Sequence, residues 1–140
     1  MTDKERYDAG VAMRRQVLGS EHVDRSLAKA SEFAKPIQEL VTEYCWGEVW
    51  ARPALAPRER SILNLGMLTA LNRNEELKVH VRGALNNGIS PAEIQEILLQ
   101  AAIYCGVPAG LSSFRVAQAA IEEVEAEGGP TGDGASAEKA

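Results

Sequence analysis

PRERSILNLGMLTALNRNEELKVHVRGALNNG, residues 57–88, decides the fold. Its first half carries Ile62, Leu63, Leu65, Met67, Leu68, Ala70 and Leu71. These are apolar on nearly every side, so the pattern predicts a helix from Pro57 to about Leu71 that sits inside a core. Its second half repeats Leu77, Val81, Ala84 and Leu85 at three- and four-residue spacing, which predicts an amphipathic helix from Glu75 to about Asn87. A short polar turn at Asn72–Asn74 joins the two. His80 lies one turn from both Leu77 and Ala84, at the edge of the apolar face. Glu59 is in line with Leu63, Gly66 and Ala70. The pattern thus directs a carboxylate and an imidazole towards apolar surroundings, where a site can be built.

Working outward, the 140 residues suit one domain, and 45% apolar residues are enough for a core. A net charge of −5 without a basic block argues against nucleic acid as a partner. No apolar run reaches the roughly 18 residues a membrane helix needs. The charged start, MTDKERYDAG, has no signal-peptide segment. The expected location is the cytoplasm. Cys45 and Cys105 are too far apart in sequence for a redox CxxC or a zinc knuckle. With 2 histidines, a multi-histidine metal site within one chain is not expected.

Residues 1–6 are expected to fray, followed by a helix from Tyr7 to Leu18 that Gly19 stops. In GSEHVDRSLAKAS, residues 19–31, Ser20 or Asp24 could cap a short helix. His22, Asp24 and Arg25 fall in a polar, turn-like segment that reads as a solvated loop or as a loop carrying binding groups to a pocket. Pro36 opens a helix to about Trp50 whose buried stripe is Ile37, Leu40, Val41 and Tyr44. Glu48 falls on the same stripe, where a carboxylate must be paired, protonated or facing a cavity. An arginine such as Arg52 or Arg60 is a candidate partner in an ion pair. Trp46 and Trp50 are expected to pack in a core or an interface.

Ser90-Pro91-Ala92-Glu93 is a capping box with proline in the first turn. It starts a helix to about Cys105 with Ile94, Ile97, Leu98, Ala101 and Cys105 on one face. A last helix, Pro108 to about Glu127, carries Leu111, Phe114, Ala117, Ile121 and Val124. From Gly128 onward the composition is that of a flexible tail, which places the domain at 1–127. No alternating strand pattern competes. The fold class is all-α, a bundle of about six helices.

VLGSEHVDRS, YCWGEVWARPALAPRERS, HVRGALNNG and EILLQAAIYCGVP, in this order, resemble the carboxymuconolactone decarboxylase family, which includes alkylhydroperoxidase-like members. The strings span most of Met13 to Ala109, and VLGSEHVDR is the part that points to the decarboxylases. The resemblance implies an alkylhydroperoxidase-like helical fold, a homo-oligomer (a ring-like hexamer) and no cofactor. It also implies decarboxylation of gamma-carboxymuconolactone, a small dicarboxylate lactone, to beta-ketoadipate enol-lactone in protocatechuate catabolism. The peroxidase relatives need two close thiols, and the residues ahead of His80 are NRNEELKV, without cysteine. Alternatives are a thiol peroxidase, a decarboxylase of a related lactone and a non-catalytic helical assembly module.

For the implied reaction, the protein must hold a spectator carboxylate, stabilise an oxyanion and deliver one proton. Arginine suits the first task; Arg25, Arg52, Arg60 and Arg82 are candidates, with Arg25 preferred. His80 is the favoured proton donor because its ordinary pKa lies near neutrality. Glu48 is second, and His22 could bond the oxyanion or a carboxylate. Glu59 and Cys105 are placed at the pocket. Glu59 also reads as a counter-charge to its helix dipole, and Cys105 is not expected to act as a nucleophile. Arg82 and Asn86 read as surface or subunit contacts.

Overall fold

The computed structural model describes residues 1–131. The described residues form seven α-helices and one π-helix, without strands: α1 (Asp3–Leu18), α2 (Ser20–Lys29), α3 (Lys35–Leu40), the π-helix (Val41–Trp50), α4 (Pro57–Ala70), α5 (Asn74–Asn86), α6 (Pro91–Cys105) and α7 (Val107–Ala126). They fall into two compact units, one over Met1–Pro57 and one that begins at Arg58.

In the first unit α1 packs against the π-helix and α2. The helix α1 begins at Asp3, with no frayed start, because Thr2 and Glu5 form a capping box: Glu5 N donates to Thr2 Oγ1 at 3.1 Å and Thr2 N donates to Glu5 Oε2 at 3.0 Å. Two glycines let the backbones of α1 and the π-helix touch. A Cβ on Gly10 would lie 1.9 Å from the Thr42 carbonyl oxygen, and one on Gly47 would lie 2.2 Å from that of Arg6. Val17, Trp46 and Trp50 form the core of this unit, the two indoles 4.7 Å apart between ring centroids. The buried guanidinium of Arg14 donates to Thr42 Oγ1 and Gln38 Oε1, both at 3.0 Å.

The π-helix explains one departure from the expected pattern. Its turns close on the fifth residue, as in Ala51 N to Trp46 O at 3.1 Å, so it holds more residues per turn than an α-helix. The buried line is therefore Thr42, Trp46, Gly47 and Trp50. Of the stripe expected at α-helical spacing, Val41 is half-buried against the Val17, Trp46 and Trp50 core, whereas Ile37 and Leu40 of α3 and Tyr44 are 53%, 57% and 65% exposed, and Glu48 is exposed with them. A second departure is α2. The polar segment around His22 and Arg25 is helical rather than a loop, with Gly19 (φ 91°) ending α1 and preceding α2, and Val23 buried.

The second unit has one core, built on Leu65, Leu77, Val81, Ala84, Leu85, Ile89, Ile94, Leu98, Ala117, Ala120 and Val124. The turn between α4 and α5 falls at Asn72 (φ 57°), as the polar residues there predict. The Ser90–Glu93 capping box is present. Its Glu93 also pairs with Arg58, and the Ser90 amide is the main cause holding this carboxyl below the usual range. The helix α4 is not enclosed on all sides. Ser61, Leu65 and Thr69 are its buried line, while Leu63 and Met67 remain 54% and 44% exposed. An all-round apolar helix gives no sequence signal for which side faces in. Glu59 does align with Leu63, Gly66 and Ala70, but that line is the outer one, so Glu59 is exposed and not directed into the core. Leu111 and Cys105 are exposed as well. Residues 132–140, most of the expected tail, lie outside the described residues.

Candidate active site

The polar residues of α4 that face inward each meet a partner. Ser61 Oγ accepts at 2.8 Å from Nδ2 of Asn87, the residue that caps the end of α5. Asn64 Nδ2 stands 3.4 Å from His80 Nδ1. Thr69 Oγ1 donates to Leu65 O at 2.8 Å and accepts from Ser113 Oγ of α7 at 2.9 Å. Side chains that cannot be buried alone thereby fix the register of α4 on α5 and α7.

His80 is half-buried between Leu77 and Ala84, which are fully buried. Loss of water around the ring pushes its pKa from 6.5 down to about 4, with the Glu76 carboxylate pulling the other way. At neutral pH the imidazole is neutral, a single N–H donor and a single acceptor. This differs from the ordinary titration expected from sequence, because burial outweighs the charge of Glu76. Lys78 and Arg82, two positions to either side, pair with Glu123 of α7 and with Glu127, which caps its end, at 2.8 and 2.6 Å.

Of the other candidates, Arg60 is half-buried on α4, one turn before Asn64, and Glu59 beside it is exposed. Cys105 belongs to a different place. It lines a groove of about 420 Å³ with Ile62, Leu63, Gly66, Met67 and Tyr104, on the side of α4 opposite Asn64. The first unit holds His22, Arg25, Glu48 and Arg52. His22 is half-buried on α2, and Arg25 is exposed with Glu21 at 3.8 Å. Arg52 is exposed. Glu48 Oε2 accepts from Arg6 Nε at 3.0 Å, and Arg6 also meets Asp3 and Glu43 at 2.9 and 3.6 Å. Its partner is Arg6, and its setting is a guanidinium and solvent rather than an apolar wall. The sequence reading passed over Asn64. Its signal was an amide inside an otherwise apolar run, at a spacing from Ser61 and Thr69 that keeps all three on one side of a helix.

The model of the carboxymuconolactone decarboxylase family matches residues 35–119. The chain belongs to that family. It is 44% identical over 118 residues to a nitrosuccinic acid decarboxylase of Metarhizium robertsii, covering 84% of this chain and 82% of that one. It is 36% identical over 124 residues to the 4-carboxymuconolactone decarboxylase of Acinetobacter baylyi, covering 89% and 92%. Against a 4-carboxymuconolactone decarboxylase sequence from Pseudomonas putida it is 48% identical over 48 residues, which is 34% of this chain and all of that sequence. The family membership agrees with the resemblance carried by HVRGALNNG and IYCGVP. Relatives named as decarboxylases make a carboxy-lyase the activity class.

Proposed function

We propose that this chain decarboxylates 4-carboxymuconolactone (gamma-carboxymuconolactone) to beta-ketoadipate enol-lactone, without a cofactor, in the breakdown of protocatechuate. The observation that carries this reading is the likeness to the Acinetobacter baylyi enzyme along 89% of the chain. In this substrate the departing carboxylate sits on the ring carbon gamma to the lactone carbonyl, and the ring double bond is conjugated with that carbonyl. As the bond to carbon dioxide breaks, its electron pair moves through the double bond to the carbonyl oxygen. The dienolate then takes a proton at the carbon alpha to the carbonyl. The substrate is its own electron sink.

His80 delivers that proton. Free, the ring is neutral at pH 7; a dianionic substrate beside it raises its proton affinity, so binding and proton uptake are coupled. Arg60, on the helix that carries the partner of His80, holds the spectator carboxylate, with Arg25 and Arg52 as the other guanidinium candidates. His22 is the candidate donor to the oxyanion. Glu48, tied to Arg6, ranks behind His80 for the proton. Carbon dioxide release from 4-carboxymuconolactone by the purified protein tests the reading. No turnover from a folded wild type would remove this substrate.

A second reading is favoured by the 44% identity to the nitrosuccinic acid decarboxylase. Nitrosuccinic acid also has two carboxyl groups and an internal electron sink, its nitro group. The same assay with both substrates side by side separates the two by their kcat/KM.

The proposed assembly is a homo-oligomer, with a hexamer the expected size. What supports it is the exposure of large apolar side chains on the second unit: Leu63, Met67, Ile103, Tyr104 and Val107 are 54%, 44%, 80%, 84% and 62% exposed. Exposed apolar surface of this kind marks interaction sites. The cytoplasm is the proposed location. No helix among the described residues is long and apolar enough to cross a membrane.

A further inference from the structure

We propose that Arg14 is the receptor for a carboxylate of a small molecule, which displaces the Gln38 amide and takes Nε and Nη2 of the guanidinium together. The site lies within the first unit and does not rest on the role given above to His80.

Arg14 lies on α1 and is 7% exposed. A guanidinium keeps its proton in a protein, so where it is buried its charge is buried too. Such a charge is ordinarily paired with an anion. Here Nη1 donates to Thr42 Oγ1 and Nη2 to Gln38 Oε1, both at 3.0 Å, and both acceptors are neutral. No carboxylate among the described residues pairs with it. Burial pulls its pKa down, and the groups that pull the other way are the Cys45 thiol and the Tyr7 phenol. Burial in turn pushes the Cys45 thiol up, so it stays un-ionised at neutral pH.

The hydrogen bonds show which edge suits an anion. Nε and Nη2 aim their hydrogens along one edge of the planar group, the edge a carboxylate grips with two oxygens. Nε is buried and has no hydrogen-bond partner. Nη2 is held by a single amide oxygen. The NH2 of that amide cannot accept, so Gln38 satisfies one donor where the edge offers two. A carboxylate satisfies both and supplies the counter-charge. The other side is complete. Thr42, fully buried, accepts from Nη1 and donates its own hydrogen to Gln38 O at 2.7 Å. Gln38 is the partner free to leave. It is half-buried on the six-residue α3, between exposed Ile37 and Glu39, and its amide has solvent to turn into. The carboxylate belongs either to the lactone substrate proposed above or to a separate effector, and the two sources differ in kinetics.

The test is a titration of the full chain with succinate, beside chloride at equal ionic strength. The readouts are the Arg14 Nε–H resonance in ¹H–¹⁵N NMR, assigned through its own side-chain carbons, and the thermal unfolding midpoint. Succinate is expected to move the resonance downfield to saturation and to raise the midpoint, and chloride to do neither. Gln38→Glu, nearly isosteric, supplies the carboxylate from the chain itself. Its midpoint without succinate is expected above that of the wild type, and its affinity for succinate about tenfold or more weaker. A resonance indifferent to succinate, an equal response to chloride, or a Gln38→Glu protein that is less stable or binds succinate like the wild type overturns the proposal. Where succinate binds, a raised KM for 4-carboxymuconolactone at unchanged kcat names the substrate as the source, and an unchanged KM names an effector. If the resonance responds but the lactone is not turned over, the Arg14 site stands and only the proposed substrate falls.

Discussion

Replacing His80 by glutamine should flatten the acid side of the stability curve. Burial lowers the pKa of the ring from 6.5 to about 4, so the fold accommodates the neutral form and the unfolded chain binds the extra proton. Stability from this source is complete above pH 6.5 and is lost as pH falls from 6.5 towards 4. At about 1.4 kcal/mol per unit, most of the lowering is felt by pH 5, where the wild type should have lost about 2 kcal/mol relative to pH 7 through this residue alone. Glutamine keeps a polar side chain near Asn64 but does not titrate. Urea unfolding of both proteins at fixed concentration, at pH 7 and pH 5, gives the difference directly. The wild type should lose about 2 kcal/mol more than the variant over that interval. Equal losses would refute the reasoning, since the ring would then titrate alike folded and unfolded.

Gly10→Ala should destabilise the protein by about 3 kcal/mol in urea unfolding, because the new methyl meets the Thr42 carbonyl oxygen across a backbone contact that cannot yield. The double variant Cys45→Ser/Cys105→Ser should keep decarboxylase turnover within about threefold of wild type, as a proton-transfer route without a thiol requires; loss of turnover would point to thiol chemistry. Met67→Glu, which places a charge among the exposed apolar side chains of the second unit, should reduce the assembly to smaller species in light scattering, whereas an unchanged mass would move the interface elsewhere.

Much of the fold was legible because its strongest signals are local. The Ser90–Glu93 capping box, the polar turn at Asn72 and the three- and four-residue spacing of Leu77, Val81, Ala84 and Leu85 each act within a turn or two of chain, and the structure has all of them. The Thr2–Glu5 box carries the same signature and was there to be read. What could not be read depends on partners distant in sequence. The π-helix arises where Gly10 and Gly47 let two backbones touch, and its wider coil turned the expected Tyr44 and Glu48 line outward. The apolar surround of α4 concealed its outer face, and with it the exposure of Glu59. The placement of His80 at the edge of an apolar face was legible from spacing alone, but its lowered pKa was not. That shift depends on how completely the rest of the unit removes water from the ring, and Asn64 as its neighbour follows only once α4 is laid against α5.

The most direct test is carbon dioxide release from 4-carboxymuconolactone by the purified, metal-free protein, measured beside His80→Ala. The account predicts turnover by the wild type and a fall of about 10²-fold or more in the variant, the scale of losing a general acid. Equal turnover by the two proteins would contradict the role given to His80, and no turnover by a folded wild type would contradict the substrate.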